Sequence, residues 1–293
     1  MTEKGRAMRR LAIVAMAPLA LATACSRPAP AGNNGSANAV AAPAPAPAAA
    51  DTAAPLVPPT PAPTSTPATA PDPVARVEKS DLLDYTYKYP AEAAAIPALK
   101  TLLDRRADEA KARALADARE DQQATTKIGS PFHAHYYEAA WLLAADTPRF
   151  LSLVGSIGAY TGGAHGMVVY TPLLWDKQAG KQIAVADLFT SHAAVEAAIR
   201  SDFCDSLDQQ RATKRGAPVK RSDQPFEDCI DPMKEALVPT AGATGAIDGF
   251  TVYVAPYDAG PYAEGDYQIA VPVSAALMRA IKPAYRSAFT PAS

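Results

Sequence analysis

The sequence predicts an α+β fold in which mixed or antiparallel sheets pack against helices. Three observations lead to this prediction: alternating apolar residues in several short segments, two longer segments with apolar residues every three or four positions, and short turns between neighbouring strands. Short turns favour hairpins over a regular repeat of strand–helix crossovers. The predicted folded part, residues 77–290, is long enough for one large domain or two small intertwined ones.

The folded part is predicted to begin with one strand and one helix. Three tyrosines alternate with polar residues between 84 and 89, which predicts a strand with the three rings on one side. Apolar residues then recur at helical spacing over 96–114, and Pro97 is suited to a first helical turn. We therefore expect this helix to pack its apolar side against the sheet.

The remainder of the folded part alternates strands with helices. Strands are predicted at about 132–144, 150–160, 166–175, 182–185, 250–254 and 267–271. A helix is predicted over 192–209, with a buried side made of Val195, Ile199, Phe203 and Leu207. Ser274 is a suitable N-cap for a last short helix. This order of elements supports the α+β class.

The amino terminus has the pattern of an export signal. Basic residues precede an apolar run over 11–24 that is too short to span a bilayer and ends in small residues. The segment Leu21 to Cys25 resembles a bacterial lipobox, although Thr23 departs from its commonest form. The resemblance implies that residues 1–24 are removed and that Cys25 carries a lipid. A plain cleaved export signal is the alternative.

We therefore expect a periplasm-facing lipoprotein of the cell envelope that is attached to a membrane through its lipid. Ser26 follows the cysteine where an aspartate is associated with retention in the inner membrane, so the resemblance favours the outer membrane. Thirteen prolines lie in the stretch from Ser26 to Arg76, with few large apolar residues among them. Such a composition cannot form a core, and we predict that residues 25–76 are a disordered, semi-rigid linker.

The charge of the chain argues against a nucleic-acid partner, and its cysteines argue for a disulfide. Removal of residues 1–24 takes away four basic residues and one acid, so the formal net charge changes from −2 to about −5. A mildly acidic chain gives no reason to expect a nucleic-acid partner. Cys204 and Cys229 are expected to form a disulfide because the compartment is oxidising. A nucleophilic cysteine is the alternative, but no histidine lies near either one in the sequence.

Basic and acidic residues are mixed within the predicted disulfide loop. Mixed signs favour a solvated loop over a site for a polyanion. The basic residues are Arg211, Lys214, Arg215, Lys220 and Arg221.

Several motifs of the predicted folded part occur together in one family of envelope domains. They are Tyr160-Thr-Gly-Gly-Ala-His-Gly166, Trp175-Asp176 with Gly180-Lys181, Asp187-Leu-Phe189, Tyr257 to Tyr262 with Gly260-Pro261, and Ile269 to Pro272. With this combination, about residues 80–285 resemble the domain of unknown function shared by the lysozyme-sensing anti-sigma factor RsiV and the deacetylase PdaC. The resemblance implies an α+β ectodomain with a PdaC-like half, 77–165, and an RsiV C-terminal-like half, 166–290.

The resemblance also implies that the protein functions in the cell envelope. It further suggests lysozyme as a ligand, because RsiV-like members of the family bind lysozyme. Because the same module accompanies an enzyme in one relative and a sensor in another, it behaves as a recognition part. Candidate binding residues lie in the two most specific motifs, where tyrosine rings suit protein surfaces and sugar faces. They are Tyr160, Gly162, Gly163, His165, Tyr257, Gly260 and Tyr262. The alternative is structural, with the glycines forming a turn and the rings completing the core.

Catalytic signatures are weak in this sequence. His133 and His135 share one side of a predicted strand and would bind a metal only if a third ligand such as His165 joined them. Ser156 lacks the flanking glycine of a nucleophile elbow, because position 154 is valine. We therefore predict no catalytic residue, metal ligand or cofactor, and the question of enzymatic activity stays open.

Three hypotheses for the function follow. The first is a lipid-anchored, non-catalytic recognition module that binds cell-wall glycan (peptidoglycan) or a wall-degrading enzyme such as lysozyme. The second is a cell-wall hydrolase or metal-dependent enzyme that uses His165. The third is a purely structural envelope protein, which predicts no ligand-sized cavity near the glycine turn. The sequence leaves the oligomeric state open.

Overall fold

The computed structural model describes residues 72–242 and 245–292. The predicted signal segment, Cys25 and nearly all of the predicted linker lie outside the described residues, so lipidation stays a prediction. Within the described ranges, no helix combines the length and the apolar character needed to cross a bilayer.

The larger of two sheets has six strands in the order β1-β2-β3-β4-β5-β6. They are β1 (Val74–Lys79), β2 (Leu83–Tyr89), β3 (His135–Asp146), β4 (Phe150–Tyr160), β5 (Met167–Asp176) and β6 (Lys181–Ile183). Only β2 and β3 pair in parallel; the other neighbours are antiparallel. Parallel strands need a crossover, which here consists of α1 (Ala91–Ala94) and α2 (Pro97–Lys127).

One hydrophobic core lies between α2 and the larger sheet. The three tyrosines of β2 are buried, and each hydroxyl finds a partner, as buried tyrosines require. Tyr85 donates to the carbonyl oxygen of Ala107, while Tyr89 donates to Asp104. Tyr87 accepts a hydrogen bond from the indole of Trp141. The predicted alternation of β2 is therefore confirmed.

The smaller sheet is antiparallel, with the order β7-β8-β9. Its strands are β7 (Ala236–Ala241), β8 (Ile247–Val254) and β9 (Tyr267–Pro272), accompanied by the helices α3 (His192–Arg215) and α4 (Ala275–Ala280). A second core forms between this sheet and α3, and it also contains Phe150 and Leu174 of the larger sheet. Because Leu151 and Leu173 point into the first core, β4 and β5 contribute side chains to both cores.

Helix α3 begins and ends at residues suited to those positions. The Ser191 hydroxyl accepts a hydrogen bond from the backbone N–H of Ala194, and Gly216 ends the helix with φ 67°. Cys204, on the buried side of α3, is bonded to Cys229, with 5.5 Å between the two Cα atoms. The predicted disulfide is therefore confirmed.

The α+β prediction is confirmed, and the structure differs from it in several elements. Strands β1 and β7 were not predicted; β1 begins at Val74, inside the predicted linker. Helix α2 continues to Lys127, beyond its apolar stripe, because the added residues include many good helix formers. Helix α3 continues to Arg215. The two-half division at residue 165 stays a prediction; β4 and β5, on either side of it, pair with each other.

Candidate functional site

Two loops that are distant in the sequence meet at the surface. The first is the turn 161–166 between β4 and β5, and the second is the loop 255–266 between β8 and β9. They bring together His165, Tyr257 and Tyr262, which we call the aromatic cluster. The rings of His165 and Tyr262 stack with centroids 3.8 Å apart and planes at 19°. Tyr257 lies 5.6 Å from Tyr262 and 6.2 Å from His165 by ring centroids.

Hydrogen bonds fix the orientation of the three rings. The Nδ1 atom of His165 lies 3.0 Å from the carbonyl oxygen of Gly166, and Nε2 lies 3.3 Å from the Tyr257 hydroxyl. Because a carbonyl only accepts, the network assigns the proton to Nδ1, and Nε2 accepts from Tyr257. Tyr262 donates to the same Gly166 carbonyl at 3.0 Å. All three side chains nevertheless remain exposed.

The glycines of the turn are required by its geometry. Gly162 and Gly163 have φ of 98° and 94°, which side-chain-bearing residues rarely adopt. Tyr160 donates to the carbonyl oxygen of Gly163 at 3.1 Å and closes the turn. At Gly166, an added Cβ would collide with the Tyr136 hydroxyl and the Ala159 carbonyl oxygen. The turn is therefore both tightly bent and tightly packed on β3.

Two further rings extend the aromatic cluster along the sheet. Tyr136 on β3 and Tyr160 on β4 are register partners, and their rings stack with centroids 6.0 Å apart and planes at 12°. Tyr136 is 38% exposed and lies beside Gly166, which accepts the hydrogen bond from Tyr262. We call the five side chains together the aromatic surface. Sequence analysis missed Tyr136, because only the strand register shows that it faces Tyr160.

Buried contacts with helix α3 hold the second loop. Arg211 is fully buried and donates from Nε to the carbonyl oxygen of Ala259 at 2.9 Å. It also donates to the carbonyl oxygen of Asp228 at 2.7 Å and therefore links the loop to the segment beside the disulfide. The solvated-loop interpretation is wrong for Arg211. Tyr257 itself has φ 77°, a strained conformation that the surrounding contacts maintain.

The end of the same loop is anchored by an ion pair. Arg215 bonds both carboxylate oxygens of Glu264, and Tyr267 donates to Glu264 as well. Burial alone would raise the pKa of Glu264, but the hydrogen bonds from Arg215 and Tyr267 outweigh it and lower the pKa. Gly260 is buried, and a Cβ there would meet the Tyr267 hydroxyl at 2.8 Å. Gly260 is therefore required by the close packing of the loop, and its role in binding stays a prediction.

Two acids at the base of the second loop have raised pKa values. Burial, together with the charges of Asp258 and Asp231, raises the pKa of Glu235 to about 7. Burial also raises the pKa of Asp258, which follows Tyr257 directly. Both acids therefore keep a proton to a higher pH than an ordinary carboxyl group does.

Cavities adjoin the glycine turn. One of about 260 Å³ is lined by Tyr136, Arg113 and Asp117, and another of about 390 Å³ is lined by Asp117 and Glu120. Thr161, the first residue of the turn, lines both. The purely structural hypothesis predicted no such concavity, so its prediction is not met. A larger cavity of about 660 Å³ lies elsewhere, against Ile96, Leu151 and Trp175.

The structure brings most of the predicted binding residues together, but it does not bring the predicted histidines together. The structure brings Tyr160, Gly162, Gly163, His165, Tyr257 and Tyr262 together at one surface, with Gly260 beneath it. The hypothesis that His133 and His135 bind a metal together with His165 is not supported by their positions. His135 is buried against Asp121, His133 precedes the strand and is exposed, and neither joins His165 in any metal-compatible group within the described residues.

Comparison with known families finds a match for part of the chain. Residues 76–168 match the family model described as "Deacetylase PdaC". Over this range the chain is similar to the PdaC family. The matched segment includes Tyr136, Tyr160 and the whole glycine turn, whereas Tyr257 and Tyr262 lie beyond it. The resemblance to PdaC is therefore confirmed over this segment.

Two solved structures of DUF3298 family members are also similar to the chain. The protein from Bacteroides fragilis NCTC 9343 is 17% identical with a TM-score of 0.44, and the match covers 69% of this chain and 89% of that one. The protein from Pseudomonas aeruginosa PAO1 is 16% identical with a TM-score of 0.45, with coverage of 75% and 97%. No curated protein matched the chain.

The chemistry of the aromatic surface follows from its rings and their hydrogen bonds. Stacked, exposed rings with polar tips can contact sugar faces or a protein surface. His165 has one ring nitrogen on a backbone carbonyl and the other facing a tyrosine hydroxyl. No activated nucleophile lies among its hydrogen-bond partners in the described part of the chain.

Proposed function

We propose that this protein is a lipid-anchored, non-catalytic recognition module that binds cell-wall glycan through the aromatic surface. The observation that carries the proposal is the convergence of His165 with Tyr257 and Tyr262, from loops more than 90 residues apart in sequence. Rings that merely completed a core would be buried, whereas Tyr257 is 45% exposed and Tyr262 is 36% exposed. Ordered, exposed rings are suited to an external ligand.

The adjoining cavities supply the polar groups that a glycan needs. Sugar rings stack on aromatic faces, and their hydroxyls need hydrogen-bond partners at the rim of the site. Asp117, Glu120, Arg113 and Thr161 line the two cavities beside Tyr136 and offer both donors and acceptors. A chain of sugars lying across the aromatic surface would therefore reach charged side chains at one end.

The PdaC-like segment supports a role in the envelope, because the motifs of this sequence resemble those of a family of envelope domains that includes PdaC. The amino-terminal pattern supports the same compartment. We propose that Cys25 carries the lipid, that the proline-rich stretch separates the lipid from the folded part, and that the outer membrane is the final location.

Co-sedimentation with purified peptidoglycan tests the proposal. The wild-type chain is expected to pellet with the glycan, and Tyr257→Ala with Tyr262→Ala is expected to weaken the affinity at least tenfold, because alanine removes the stacking faces. Ile128→Ala is the matched control, since Ile128 is 76% exposed and lies at the end of α2. Equal pelleting of wild type and the double variant would contradict the proposed site.

Lysozyme is the second ligand to be tested, in parallel and at low and physiological salt. Binding of lysozyme that depends on the same tyrosines, without binding of glycan, would redirect the proposal to a protein partner. The hydrolase alternative makes a different prediction. It requires release of soluble wall fragments by the wild-type chain and loss of that release in His165→Ala, which the binding proposal does not expect.

A further inference from the structure

A second group of side chains lies outside the aromatic surface, at the start of α3. The Nε2 atom of His192 is 3.9 Å from Oε2 of Glu196 and 4.0 Å from Oδ2 of Asp231. All three atoms lie within 4.8 Å of one another. We propose that these three side chains bind a zinc ion.

The backbone fixes all three residues relative to one another. His192 and Glu196 are one helical turn apart on α3 and therefore share one face of the helix. Asp231 comes from a different segment, only two residues after Cys229. Because Cys229 is bonded to Cys204 on the same helix, the disulfide holds Asp231 near the other two side chains. The helix and the disulfide therefore hold the three side chains close to one another.

Each carboxylate uses one oxygen for orientation and leaves the other for the ion. Oε1 of Glu196 accepts from Arg200 at 2.9 Å, and Oδ1 of Asp231 accepts from the backbone N–H of Met233, also at 2.9 Å. Arg200 also donates to the carbonyl oxygen of Cys229 at 3.2 Å. Carboxylates that bind metals are commonly held in this way through their second oxygen. The oxygens that remain, Oε2 and Oδ2, are the two that face His192.

The ligand set selects zinc over the hard cations. The two carboxylate oxygens lie within 4.8 Å of each other, so a cation placed between them is attracted to both. An imidazole nitrogen favours a transition metal over Ca²⁺ or Mg²⁺, and zinc binds such ligands at about 2.0–2.2 Å. Tetrahedral bonds of that length place ligands about 3.4 Å apart, so the present 3.9 and 4.0 Å need only a small contraction. His192 is largely exposed, and a water can therefore complete the coordination.

Zinc titration of the full chain, after treatment with a chelator, tests this inference. Competition with a chromophoric chelator should give one zinc per chain. His192→Ala and Asp231→Asn should each weaken the affinity at least tenfold, because each removes one of three protein ligands. His133→Ala and Asp202→Asn are matched controls, since both residues are exposed and lie outside the group, and they should leave the affinity unchanged.

Thermal unfolding provides a second readout that does not depend on the chelator. Zinc at one hundred times its dissociation constant should raise the Tm of the wild-type chain and of the controls, but not that of His192→Ala or Asp231→Asn. Circular dichroism without zinc checks that both variants fold. Absence of binding at micromolar zinc, or binding that both variants retain, would overturn the inference.

Discussion

Replacement of Glu235 by glutamine should remove a pH-dependent loss of stability. The pKa of Glu235 is raised from 4.5 to about 7, first by burial and then by the charges of Asp258 and Asp231. The folded protein therefore keeps this proton up to about pH 7, whereas the unfolded chain releases it near pH 4.5. Between these values the unfolded state binds fewer protons, so the free energy of unfolding falls as the pH rises.

The shift sets the size of the effect. A change from 4.5 to about 7 corresponds to about 3 kcal/mol for a fully shielded group. Glu235 is only partly buried, and solvent screening reduces the expected loss to about 1–2 kcal/mol. Glutamine has the shape of the protonated acid and cannot ionise. The stability of Glu235→Gln relative to wild type should therefore increase by about 1–2 kcal/mol between pH 5 and pH 8.

Urea unfolding at pH 5, 6, 7 and 8 measures this difference directly, because the contributions of the other titrating groups largely cancel between the two proteins. Glu120→Gln, on the exposed side of α2, is the control and should show no such trend. A difference between Glu235→Gln and wild type that stays constant from pH 5 to pH 8 would refute the reasoning.

Three further variants test the contacts that hold the two loops of the aromatic surface in place. Arg211→Met should lower the free energy of unfolding by about 2–4 kcal/mol in urea, because the buried carbonyl oxygen of Ala259 and the partly buried one of Asp228 both lose their donor. A loss under 0.5 kcal/mol would contradict the anchoring role. Joint replacement of Cys204 and Cys229 by alanine should lower the free energy of unfolding by about 3–4 kcal/mol, since the disulfide closes a loop that spans 25 positions. Unchanged stability under oxidising conditions would contradict this expectation. Gly166→Ala should destabilise the protein by about 1–3 kcal/mol and change its near-ultraviolet circular dichroism, because the new methyl group collides with Tyr136. A spectrum and a Tm equal to those of the wild type would contradict the tight packing of the turn against Tyr136.

Local patterns predicted most elements of the fold. Strand β4 was predicted at its observed bounds, 150–160, because its apolar run is followed directly by a glycine turn. The buried side of α3 was also predicted correctly, since its four apolar residues follow helical spacing. Strand β7 was missed because it contains Pro239 and lacks alternation, and proline within a strand argues against the assignment.

The candidate site could be predicted only in part, because its contacts are long-range. The motifs with His165 and Tyr257 drew attention to both loops, but nothing in the sequence shows that the two rings meet. Tyr136 became visible only through the register of β3 and β4. Arg211 is different, because it follows Leu207 at the same four-residue spacing as the buried residues before it. The spacing alone indicates that Arg211 is buried. Its positive charge instead suggested an exposed residue.

The aromatic surface is assembled from two distant parts of the chain, which limits how it could be transferred between proteins. The PdaC-like segment ends at residue 168 and carries the glycine turn with His165, while Tyr257 and Tyr262 come from a loop that depends on α3 and the disulfide. A protein that inherited only the first segment would receive three of the five side chains, without the two tyrosines that His165 contacts. Sequence changes in one loop therefore affect the contacts of the other, and the two loops should be exchanged as a unit when the surface is grafted onto another protein.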